Sequence, residues 1–125
     1  VLVRCVVRDD EKQAKAADKI LKKATLIAVP LPVLCEFVWV LRKVYDFGLD
    51  DVANAVRALL DIPTVATHTA AAEAGLALLE AGGDFADAAL AEEGHQLGGE
   101  RFVSFDKKAV TLLEQHGVPA VLLAS

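Results

Sequence analysis

Apolar runs too short to be helices alternate along this chain with stretches of helical length. Thr25 to Val29 (T-L-I-A-V) reads as a buried strand closed by Pro30, and Arg101 to Phe105 (R-F-V-S-F) and Ala120 to Leu123 read the same way. A further short strand is expected around Val65. Between them lie helical patterns: Asp9-Asp10 caps a helix running through Ala24, Pro32 opens one to about Tyr45, and Asp50 to Leu60 forms another. Thr69 to Leu79, Asp84 to about Gly98, and Lys107 to His116 complete the set, the last stopped by Gly117 and Pro119. Val1 to Val7 is apolar except for Arg4 and too short for periodicity to decide between helix and strand. Strands this apolar, alternating with helices, predict an α/β fold with a short parallel sheet covered on both faces. In such folds ligands meet the carboxyl ends of the strands, so residues just after strands carry most information.

The chain has 125 residues, which suits a single domain spanning 1–125 with one core. Its net charge of −5 argues against a general duplex binder, and seven aromatic residues are too few for a base-stacking platform. An enzyme meeting RNA through a cation and a local basic patch stays compatible with that balance. Cys5 and Cys35, each in an apolar run, read as buried free thiols of a reducing compartment. No apolar run reaches membrane-spanning length and no signal-peptide layout opens the chain, so a cytoplasmic location is expected.

Four acids stand out. Glu36 lies in P-V-L-C-E-F-V-W-V-L, the most apolar stretch, where an unpaired carboxylate is costly to bury. It must reach an edge, pair with a base, or face a cation. Asp84 and Asp87, in G-G-D-F-A-D-A-A-L-A, share one helix face in a first turn, where they read equally as N-cap and capping-box partner. Asp106 follows F-V-S-F directly, at a strand's carboxyl end, and also suits a helix cap. Ser104 lies on the same strand face and offers a hydroxyl. Carboxylates converging from separate segments repel unless a cation joins them. Hard oxygen donors without Cys or His suit Mg²⁺, with Mn²⁺ as the alternative, acting on a phosphodiester.

With these pieces in order, the chain resembles the PIN-domain ribonucleases, in particular the VapC-type toxins of toxin–antitoxin pairs. The matching segments are V-L-V-R-C-V-V-R-D-D, E-F-V-W-V-L-R-K-V-Y, D-F-A-D-A-A-L-A, F-V-S-F-D-K-K-A and G-V-P-A-V-L-L, which span essentially the whole chain. The resemblance implies a three-layer α/β/α fold and metal-dependent endonucleolytic cleavage of RNA by clustered acids. Glu36, Asp87 and Asp106 match family acids and would hold the metal. Asp84 matches an additional aspartate of the subgroup, and Ser104 falls where the family has Thr or Ser. The resemblance also implies a cognate antitoxin and a homodimer. Family members open with a strand ending in D-T-N, whose Asp is a principal metal ligand. This chain starts where the residues after that motif fall, so the first acid and much of the central strand are expected to be missing. A truncated record is the favoured explanation, and a degenerate, non-catalytic binding module is the alternative.

Other residues carry weaker signals. Lys107 and Lys108, flanking Asp106, are the best candidates for phosphate contacts, ahead of Arg42, Lys43 and Arg101. Trp39 reads as core or interface, and His68, His95 and His116 as scattered surface or core residues. A phosphorylatable receiver-like switch would need an acceptor Asp after a central mid-chain strand. Asp61 has no apolar strand before it, which counts against that reading.

Overall fold

The computed structural model of the chain describes residues 2–124. It divides into two compact units, Val1–Thr67 and His68–Ser125. Among the described residues, seven helices alternate with four short strands, so the structure is the helix-rich α/β arrangement that the alternation predicts. No helix among these residues is long and apolar enough to cross a membrane.

The first unit holds α1 (Leu2–Val6), α2 (Glu11–Lys23), β1 (Ile27–Val29), α3 (Leu31–Lys43), α4 (Leu49–Leu60) and β2 (Val65–Thr67). The opening run, undecided from its pattern, is helical: α1 packs against α2 and α3, and that contact overrides the strand preference of its valines. Asp10 caps α2 by accepting the Gln13 amide at 3.0 Å. Ala14 and Ala17 are buried there. Ile20, expected on the same face, is 58% exposed, because successive helical residues turn by about 100° and Ile20 falls at the edge of the apolar stripe. In α3, Leu31, Leu34, Val38 and Leu41 follow helical spacing into the core, joined by Phe37. Trp39 projects from the opposite side and is 58% exposed, which removes it from the core. β1 and β2 pair in parallel with Ile27 opposite Val65. The Thr67 hydroxyl donates to the Val29 carbonyl at 2.7 Å. Cys5 and Cys35 form no disulfide, as expected, but are half-buried rather than buried.

The second unit holds α5 (Thr69–Glu80), α6 (Phe85–Gln96), β3 (Phe102–Ser104), α7 (Lys107–Gln115) and β4 (Ala120–Leu122). His68 is a helix cap: its Nδ1 accepts the Ala71 amide at 3.2 Å while Nε2 meets Gln96 Oε1 at 2.7 Å. β3 and β4 pair in parallel, Phe102 opposite Ala120, with α7 packed on both. The parallel strands thus form two separate pairs, β1-β2 and β3-β4. Leu78, Ala88 and Leu113 form the heart of the second unit, with Phe102, Leu112 and Val118 against it.

The close pairing of α5 with α6 depends on two glycines. A Cβ on Gly75 would stand 2.6 Å from the Phe85 ring, and one on Gly83 would stand 2.8 Å from Leu78 and 2.9 Å from Leu112. Phe85 is 1% exposed, so its ring has no room to yield. Gly75→Ala is therefore expected to destabilise the protein by about 1–3 kcal/mol through overpacking. Gly94→Ala, with nothing within 4 Å of the new methyl in the same hairpin, should stabilise it by roughly 0.5–1 kcal/mol. Urea unfolding of both variants checks the contrast, and equal responses would show that the Gly75–Phe85 contact does not limit packing.

Candidate active site

Two helix N-termini and one strand end build an acidic site within the second unit. Asp84 is the N-cap of α6, and its Oδ1 accepts the Ala86 amide at 2.9 Å. Phe85, buried against Gly75, anchors the helix from its first residue, and Gly83 on the other side of Asp84 is pressed between Leu78 and Leu112. Asp106 leaves β3 through Phe105 and caps α7, its Oδ1 accepting the Ala109 amide at 3.2 Å. The backbone there is steadied twice. The Asp106 amide donates to Ser104 Oγ at 3.0 Å, and the Ser104 carbonyl accepts the Leu123 amide at 2.8 Å. The Ser104 hydroxyl expected to face substrate thus serves first as an acceptor that shapes the turn into Asp106.

Asp87 behaves differently from both caps. It lies in the first turn of α6 and is half-buried. The capping box that its spacing with Asp84 allows does not form: among the described residues Asp87 has no hydrogen-bond or ion-pair partner. Burial pushes its carboxyl above the ordinary aspartate range, and the negative charges of Asp84 and then Asp106 push it further. That mutual influence places the three acids in one electrostatic neighbourhood. Each capping aspartate spends one oxygen on its helix and keeps the other available.

The remaining candidates are placed as follows. Lys107 and Lys108 begin α7 beside Asp106 and are exposed. Glu36 belongs to the first unit, on an exposed position of α3, where it is the single charged residue lining an otherwise apolar groove of about 460 Å³ with Leu26, Val33 and Phe37. It therefore escapes the burial cost that its apolar surroundings threatened. Asp9 and Asp10, the acids nearest the start of the chain, have local duties. Asp9 pairs with Arg4 and accepts the Tyr45 hydroxyl at 3.2 Å, and Asp10 caps α2.

The donor set of the second unit, oxygen alone and anionic, suits a hard divalent cation. Among the described residues no three His, Cys, Asp or Glu side chains are arranged to hold one ion directly. Magnesium does not require such a cage, since it keeps several waters and takes one or two carboxylates along with substrate phosphate. The residues present fit that mode of binding. What pattern reading missed are the supports, Gly75 against Phe85 and Gly83 against Leu112. Their only sequence signal is a glycine inside an alanine-rich helix and a glycine pair before Asp84.

The raised proton affinity of Asp87 has a sign that can be checked. Below an ordinary aspartate pKa of about 3.9 the group is protonated folded and unfolded, and it costs nothing. As pH rises through that value the unfolded chain ionises first, so the folded state loses stability until its own carboxyl ionises. Asp87→Asn should match the parent at about pH 3 and exceed it at about pH 7 in urea midpoint. A variant less stable than the parent at the higher pH would mean that Asp87 is paired in solution.

Among protein families, that of the PIN domain matches residues 1–112. No curated protein and no solved structure matches the chain.

Proposed function

The chain belongs to the PIN domain family, a fold of metal-dependent nucleases, and from that premise we propose that it is an Mg²⁺-dependent endoribonuclease, with Mn²⁺ as an alternative ion. The observation that carries this reading is Asp87: half-buried, without a partner, and pressed by the charges of Asp84 and Asp106. A carboxylate in that setting gains most from a cation, because the cation removes the repulsion.

When bound, a divalent ion supplies the positive charge that polarises a phosphodiester. Asp87 and Asp106 would hold it, each through an oxygen not engaged in helix capping. Asp84 adds negative potential that draws the cation in. Ser104 keeps the Asp106 turn in shape, while its hydroxyl proton is free to reach a substrate oxygen. Lys107 and Lys108 offer ammonium groups to flanking phosphates. Glu36 enters as a metal-binding acid from the sequence resemblance alone. The same resemblance supports a VapC-like toxin of the cytoplasm, working as a homodimer, held in check by a cognate antitoxin, and formed by residues 1–125 as one domain.

The alternative, a binding module that keeps the fold without the chemistry, draws on the lack of a ready three-ligand group among the described residues. Cleavage of single-stranded RNA in Mg²⁺, abolished by EDTA, separates the two. Asp87→Asn and Asp106→Asn should each lower the rate on the order of a hundredfold or more while the circular dichroism spectrum is unchanged. Glu36→Gln tests the fourth acid. Mg²⁺ should also raise the melting temperature of the parent and not of Asp87→Asn. An RNA-inert parent that shows no heat on Mg²⁺ titration would establish the binding module instead.

A further inference from the structure

In a chain of net charge −5, five of the 13 basic residues lie on one helix. Lys12, Lys15, Lys19, Lys22 and Lys23 all project from α2 and all are exposed. At about 100° per residue they fall within a stripe roughly 100° wide, opposite the side on which Ala14 and Ala17 are buried. Lys12 to Lys23 spans about 16 Å of helix, with an ammonium-bearing side chain on every turn. Lys15, Lys19, Lys22 and Lys23 border one shallow depression with Asp18.

The acids that could neutralise this stripe are already engaged. Arg8 donates from Nη1 to Asp18 at 3.0 Å and approaches Glu11 through Nε at 3.6 Å. Among the described residues none of the five lysines has a salt-bridge partner. Arg8, outside the helix, thus pairs with both carboxylates of α2, and neither carboxylate holds an ammonium group.

We propose that this lysine face of α2 is a binding surface for the phosphate backbone of single-stranded RNA, built from residues other than those of the acidic site. This deepens the nuclease reading and rests on it for the identity of the polyanion. The chemistry favours a nucleic acid over an acidic protein. Protein interfaces are built around apolar anchors and are depleted in lysine, and the depression that four of these lysines border holds no apolar side chain, only Asp18. Lysines acting as point charges, without arginine forks or aromatic platforms, read phosphate spacing and not base sequence. The surface therefore contributes affinity and leaves the choice of cleavage site to groups elsewhere.

The test is binding of a fluorescent single-stranded RNA in EDTA, where no cleavage occurs, followed by anisotropy as salt rises from about 50 to about 200 mM. Four phosphate contacts on a single strand give a slope of about 3 in log affinity against log salt, or roughly a 50-fold loss over that range. Replacing Lys12, Lys15, Lys19 and Lys22 together by Gln, which preserves helix propensity, should lower the slope by about 3 and leave the melting temperature unchanged. The corresponding Arg variant should keep it. Unchanged affinity and slope in the Gln variant overturn the proposal, as does tighter binding of a poly-glutamate peptide than of RNA. The outcome is independent of catalysis. RNA that binds through α2 but is never cleaved in Mg²⁺ sinks the nuclease reading alone, and RNA cleaved and bound equally by the Gln variant sinks the surface alone.

Discussion

The acidic site depends on how closely two helices can approach. Phe85 and Gly83 flank Asp84, and both are seated in contacts with no slack, the ring against Gly75 and the glycine against Leu78 and Leu112. These contacts hold the start of α6 against the α5 hairpin and against α7. The Leu78, Ala88 and Leu113 cluster holds the same elements from inside. Asp84 and Asp106 then cap neighbouring helices, and Asp87 is brought into the field of both. The helix N-termini offset part of the resulting repulsion through their amide groups and dipoles. They satisfy the caps and leave Asp87 without a hydrogen bond.

Two aspartates show how strongly the surroundings decide the chemistry. Asp9 has Arg4 beside it and the Tyr45 hydroxyl above, and the Arg4 hydrogen bond leads in holding its carboxyl below the ordinary range. Asp87 has partial burial and two like charges, and its carboxyl is pushed up. The first is settled as an anion within the fold. The second is left with a charge that folding alone does not accommodate. Groups whose proton affinity is raised by burial and like charges, and which the fold does not otherwise use, are where cation binding and proton transfer are to be sought.

Much of this was legible in the sequence, because the governing signals are local. Asp10, Asp84 and Asp106 each stand one residue before an apolar-periodic stretch, and each caps a helix. Gly117 ends α7 at a positive φ of 78° with Pro119 just beyond. The parallel pairing of short apolar strands also follows from their alternation with helices. What was not legible depends on non-local packing. Leu2–Val6 is helical because of contacts with α2 and α3, and five residues of mixed propensity carry no such information. Trp39 and Ile20 are apolar yet exposed, since hydrophobicity says nothing of which side of a helix meets a neighbour. The spacing of Asp84 and Asp87 permits a capping box, and whether it closes depends on side-chain placement that a pattern does not record.

The overall charge is a poor guide to what the chain can meet. Summed, −5 counts against a nucleic-acid partner. Resolved residue by residue, the charge includes an acidic site whose repulsion calls for a cation and a helix whose two acids pair with Arg8 while its five lysines pair with neither. Screening confines such features to about 8–10 Å at physiological salt, so a phosphate approaching α2 responds chiefly to the ammonium groups nearest it. A divalent cation among the three acids would cancel most of their negative charge. The distribution of charge, and not its total, therefore determines whether a polyanion can bind.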